Sequence, residues 1–219
     1  MPKSDFAHAV DGIQDVLRPV LKSQGFRNRG RTFNRVTQDG LTQVLSIQMG
    51  PSDPPGTTCI PGLRESLHGL FTVNLGVYVP EVARHHAGGE ANSWVQEYHC
   101  CVRSRLGEAS GERHDLWWHA RRDRGIVDDV VRRLEMDGLP FLDRYRSRDR
   151  ILTEWAERSE NMGPSTPPRI VMAIILAERG ERTRAHALLA QQVLKSRNPG
   201  HPAYVRKLAN ELGLGSLDG

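Results

Sequence analysis

A chain of 219 residues, 38% hydrophobic and 26% charged, is long enough to bury a core without disulfide or metal staples. The formal net charge is +4, and the 30 basic residues are 26 Arg and 4 Lys. That bias favours forked guanidinium contacts or simply reflects GC-rich coding, and a charge this small does not make a nucleic-acid binder.

Ser4 is placed to cap a first helix, with Asp5 in its first turn. Phe6, Val10, Ile13, Leu17 and Leu21 then recur at helical spacing. Pro19 should weaken or kink this helix and Gly25 should stop it. Thr32, Phe33 and Val36 suggest a first strand, and Asp39-Gly40 is a hairpin signal. A second strand follows over 41–49, with Leu41, Leu45, Ile47 and Met49 on one face. Thr42, Ser46 and Gln48 lie on the other, and Val44 breaks the pattern. Residues 51–62 read as loop.

The clearest strand spans 70–79, where Phe71, Val73, Leu75, Val77 and Val79 alternate with Thr72, Asn74, Gly76 and Tyr78. Such alternation implies an antiparallel sheet with one covered face, and Pro80 should end the strand. Residues 84–92 read as loop. A fourth strand fits 97–106, with Cys100, Val102 and Leu106 inward and Arg103 and Arg105 outward. A polar loop leads to Asp115, placed to cap a helix that starts there.

From Arg124 the period becomes helical, through Ile126, Val127, Val130, Val131 and Leu134, then Ile151, Leu152 and Trp155. Residues 161–168 suit a linker. Ile170, Ile174 and Ala177 mark one further helix, Gly180 a break, and Ala185, Leu188, Leu189 and Gln192 the next. A last short helix runs over about 203–212. Strands followed by helices define an α+β fold: an antiparallel sheet of about four strands packed by helices over 1–146, with a helical C-terminal region over 147–219 that is free to pack on it. Residues 173–193 look like one tetratricopeptide-type helical pair, too few for an array.

The strings GFRNRGRTF from Gly25 to Phe33, QVLSIQ from Gln43 to Gln48 and FTVNLGVY from Phe71 to Tyr78 resemble a bacterial family, domain of unknown function 4304. Arg105-Leu-Gly107 and Asp115-Leu-Trp-Trp118 are similar to its later motifs. The resemblance covers about residues 5–120. Where the family pattern has Lys-Ser after the Gln, this chain has Met49-Gly50, so no role for that lysine carries over. The family has no established activity to transfer.

Three Cys, two of them adjacent (Cys59, Cys100 and Cys101), argue against a disulfide framework and for a reducing compartment. No stretch approaches the roughly 20 apolar residues of a membrane span, and no signal core opens the chain. A cytoplasmic protein without membrane attachment is expected. His85, His86, His99, Cys100, Cys101 and His114 cluster, but with no zinc-type spacing, so neither metal nor cofactor is expected. No nucleophile-elbow, P-loop or dinucleotide motif occurs. Glu108, Glu112, His114 and Asp115 lie close enough for acid–base work or merely form a polar loop.

The binding candidates are Arg29, Arg31, Gln48, Asn74, Arg103, Arg105, Asp115, Trp117 and Trp118. In a strand, Arg29, Arg31 and Arg35 would share one face and either grip an acidic partner or blunt an edge. Gln48, Asn74, Arg103 and Arg105 fall on the polar face of one sheet, and Asn74 in mid-strand calls for a hydrogen-bonding reason. Trp117 and Trp118 offer structural anchors or an aromatic wall. The reading is a non-catalytic binding protein for a protein partner, of toxin-neutralising or regulatory type. The alternatives are an enzyme or binder of a small phosphorylated or carboxylated ligand, or a weak nucleic-acid binder. Low aromatic content and the lack of a known module count against the last.

Overall fold

A computed structural model describes residues 3–53, 58, 60, 66–85, 93–112, 115–158, 168–196 and 198–217. Cys59, His86, His114 and residues 161–167 of the expected linker lie outside this set. The fold is α+β. An antiparallel sheet is built from β1 (Arg27–Arg29), β2 (Thr32–Val36), β3 (Thr42–Met49), β4 (Leu70–Tyr78) and β5 (Val102–Arg105), in that spatial order. A short β6 (Trp118–His119) pairs with the start of β4, so the sheet has six strands rather than about four.

The first helix, α1 (Asp5–Ser23), is capped by Ser4, whose hydroxyl accepts the Ala7 N–H at 3.2 Å. It runs through Pro19, which lies on the exposed side, so the carbonyl left without an intrahelical donor is open to water. Val10, Ile13, Leu17 and Leu21 face the sheet. Gly30, with φ +57°, stands first in the two-residue β1–β2 loop, where a type II′ turn needs it. Gly40, with φ +75°, closes the β2–β3 turn as expected from Asp39-Gly40.

The core face carries Phe33, Leu45, Ile47, Phe71, Val73, Leu75, Val77 and Val102, all buried. It is covered by α1, by α4 (Arg124–Arg133), and by a π-helical turn (Leu134–Gly138) that leads into α5 (Leu139–Arg144). Arg35 and Gln43 lock this side. Arg35 donates to the Gln43 side chain at 2.6 Å and to Asp143 at 2.5 Å, and Gln43 donates to the Leu142 carbonyl at 2.6 Å.

Pro80 ends β4 by opening a short helix, α2 (Pro80–His85), so residues 84–85 are helical rather than the loop their sequence suggests. The C-terminal helices are α6 (Arg148–Arg158), α7 (Pro168–Glu178), α8 (Arg182–Lys195) and α9 (His201–Glu211). Ile170, Ile174, Leu189, Val205 and Leu208 join the hydrophobic cluster that contains the sheet's core face. The helix α7 packs on α2, α6 and α8. Arg148, at the start of α6, donates to both oxygens of buried Glu81 at 2.6 and 2.8 Å, and its backbone N–H reaches Asp39 at 2.7 Å.

The second sheet face has its own small apolar cluster: Val44, Tyr78, Ala83, Val95 and Cys100. It explains why Val44 breaks the alternation of β3. The expected fourth strand is shorter than 97–106. Residues 97–99 form a 3₁₀ turn, and Cys100 covers this second face while Val102 joins the core. After β5 the chain enters a one-turn helix, α3 (Leu106–Ala109).

Candidate functional site

Strand register aligns Arg29, Thr32, Ser46, Asn74 and Arg105 in one row across five strands on the second face. At about 4.8 Å per strand the row is roughly 19 Å long. A neighbouring row pairs Asn34, Val44, Gly76 and Arg103, and its middle lies under the apolar cluster. Gly76 is fixed by that cover, because an added Cβ would stand 2.7 Å from the Cys100 sulfur.

Beyond Thr32 the first row stays polar. Asn74 is 6% exposed and donates its amide N–H to Gln48 Oε1 at 2.7 Å, while the Gln48 side chain is exposed. The odd Asn of β4 thereby orients a surface amide. Arg105 pairs with Asp115, and its guanidinium lies 5.2 Å from the Trp117 ring. Thr72 holds the segment bearing Trp117 by donating its hydroxyl to the Leu116 carbonyl at 2.9 Å. Arg103 pairs with Glu97. Gln48, Asn74, Arg105, Asp115 and Trp117 therefore form one patch, with Arg103 beside it and Arg29 at the far end of the row.

Arg31 and Trp118 stand apart from the patch. The expected arginine face of Arg29, Arg31 and Arg35 does not form, because a turn lies between Arg29 and Thr32. Arg31 reaches α1 instead, donating to Asp11 at 2.9 Å and to the Ala7 carbonyl at 3.0 Å. The hydrogen bonds from Lys3 and Arg31 hold the Asp11 carboxyl below its ordinary range. Asp115 caps no helix, since 115–117 are irregular and Trp118 starts β6. Trp118 is buried, stacks on Phe71 with centroids 5.5 Å apart, and donates its indole N–H to Asp129 at 2.9 Å. Burial pushes the Asp129 carboxyl up, but the Trp118 N–H and the Arg132 and Arg133 guanidiniums outweigh it and bring it below the usual range.

Burial pushes the Cys101 thiol up to about 12 and raises that of Cys100 as well. Burial thus disfavours the thiolate, the reactive form, of both. Among the described residues no three His, Cys, Asp or Glu side chains are grouped to hold a metal ion, and no helix is long and apolar enough to cross a membrane.

Residues 93–99 carry groups that the sequence does not mark as a binding surface, His99 standing out only as a candidate metal ligand. Thr32 donates its hydroxyl to Gln96 at 2.9 Å, and this bond brings Trp94, Tyr98 and His99 against the β1 end of the row. The signal was three aromatic or imidazole rings within six residues of a chain only 6% aromatic.

The fold and this face define an α+β protein that presents a polar, arginine-flanked sheet surface. Residues 63–144 match the family described as Domain of unknown function (DUF4304), a segment that runs from before β4 to the end of α5. The match bears out the resemblance carried by the strings at 71–78, 105–107 and 115–118, while those at 25–33 and 43–48 precede the matched segment. No curated protein and no solved structure matches the chain.

Proposed function

We propose that this protein is a non-catalytic, cytoplasmic binding module that recognises a protein partner through the patch around Gln48, Asn74, Arg105, Asp115 and Trp117. The observation that carries this reading is the Asn74–Gln48 bond. A buried amide in a central strand is there to aim a second amide outward, and it lies one strand from an Arg held over an indole ring. Arg105 supplies charge-assisted bonds, with exposed Asp115 as the group an acidic partner displaces. Trp117 supplies apolar area next to them. Neutralisation of a toxin or effector, or regulation, is the form that suits a small α+β domain, by analogy alone.

Arg105→Glu combined with Gln48→Ala tests it. The tagged wild-type protein should retain a stoichiometric protein from nuclease-treated lysate of its source cells. The double variant should lose it while still unfolding in one cooperative transition, with a Tm lowered by several degrees because Gln48→Ala removes the acceptor of the buried Asn74 amide. Equal retention by the variant would show that the patch is not the binding surface.

A further inference from the structure

At the β1 end of the row an open groove of about 570 Å³ is lined by Arg29, Gly30, Trp94, Gln96, Tyr98 and His99, among others. Three of its acceptors are already engaged. Gln96 Oε1 takes the Thr32 hydroxyl at 2.9 Å, and the Gly30 carbonyl takes the amides of Gln14 and Asn28 at 2.9 and 3.3 Å. His99 Nδ1 takes the Gln96 backbone N–H at 3.0 Å, so the neutral ring carries its proton on Nε2 and presents another donor.

Its donors, by contrast, are open. Arg29 is exposed and has no acidic partner among the described residues. The Trp94 indole N–H is buried without an acceptor among the described residues, which leaves its hydrogen-bonding capacity unspent. Free donors beside these engaged acceptors favour ligand oxygen, and exposed Arg29 favours oxygen with negative charge. The walls add a second requirement. Tyr98, 63% exposed, stands edge-to-face with His99 at 4.4 Å between centroids, and it offers a flat apolar surface beside Trp94.

We infer that this groove binds a small aromatic anion, its ring against Tyr98 and Trp94 and its phosphate or carboxylate at Arg29. The Trp94 N–H lies just below the groove surface, so ligand oxygen reaches it with a shift of the indole ring, and Trp94 emission reports binding. The site is separate from the patch around Arg105, at the opposite edge of the sheet.

The test is titration of the full chain with phenyl phosphate, benzoate and inorganic phosphate, by calorimetry and tryptophan emission. One of the two aromatic anions should bind one-to-one, about tenfold or more tighter than inorganic phosphate, and which of them binds identifies the acidic group. Arg29→Gln should weaken it about tenfold or more, and Arg105→Glu should leave it unchanged. Trp94→Phe should abolish the emission change. That variant keeps the ring and deletes the unpaired donor, so a Tm at or above wild type shows that its fold is intact. Absence of saturable binding at millimolar ligand, binding unchanged in Arg29→Gln, or equal affinity for inorganic phosphate would overturn the assignment.

Discussion

Gly76 lies under Cys100 in the middle of β4, where strand propensity alone would favour any larger residue. Gly76→Ala is therefore expected to destabilise by about 1–3 kcal/mol through overpacking, measured by urea denaturation. Cys100→Ala should relieve part of that cost, and a double-mutant cycle showing no coupling would mean the contact is not the cause. Asp129 sets a pH dependence. Its carboxyl lies below the ordinary value in the folded state, so the stability it contributes is fully present above about pH 4 and is lost as pH falls through the folded value. Asp129→Asn keeps an acceptor for Trp118 but not the charge. The Tm gap between wild type and this variant should be widest near pH 6 and should narrow steadily towards pH 3. A constant gap would show that the charge is irrelevant.

Between elements, the Arg148 contacts are the strongest polar tie, because they join α6 to α2 and to the β2–β3 turn. Hydrogen bonds to Glu81 raise the affinity of Arg148 for its proton, as a paired guanidinium requires. Arg148→Met strands a Glu81 side chain that is only 6% exposed. The expected loss is about 3–5 kcal/mol in urea, and Glu81→Leu in the same chain should restore most of it. No restoration would place the loss elsewhere in the Arg148 contacts. The elements themselves were legible wherever a period was long and unbroken, as in α1, β4 and α7. The strand β1 was not, because Arg27-Asn28-Arg29 has no apolar residue to mark a face. Residues 97–101 were misread because Cys100 and Val102 are both buried, yet on opposite faces of the sheet, and alternation cannot distinguish the two.

For the whole molecule, the arginine excess has a structural destination. Arg31, Arg35, Arg103, Arg105, Arg133, Arg148 and Arg179 each meet an acidic side chain. The exposed pairs contribute little to stability individually. Part of the candidate patch was legible for the same reason as the strands: period two put Gln48, Asn74, Arg103 and Arg105 on one face. Arg31 was not, because a two-residue turn resets the face. Nor was the division of labour between Trp117 and Trp118, because it depends on β6 pairing with β4, where Trp118 stands opposite Phe71, 47 positions earlier. The groove beside Arg29 escaped notice because its parts are far apart in sequence, the Thr32–Gln96 bond that joins them spanning 64 positions.

The burial of α7 on nearly every side has a consequence for synthesis. Residues 168–176 include Ile170, Val171, Ile174 and Ile175, all fully covered, with α2 on one flank and α8 on another. A nascent chain can cover this greasy segment with α2 and α6, but its α8 flank stays uncovered until α8 has left the ribosome. At 5–20 residues per second that interval is about a few seconds. It is the stage of the protein's life at which chaperones would have most to hold and aggregation most to gain.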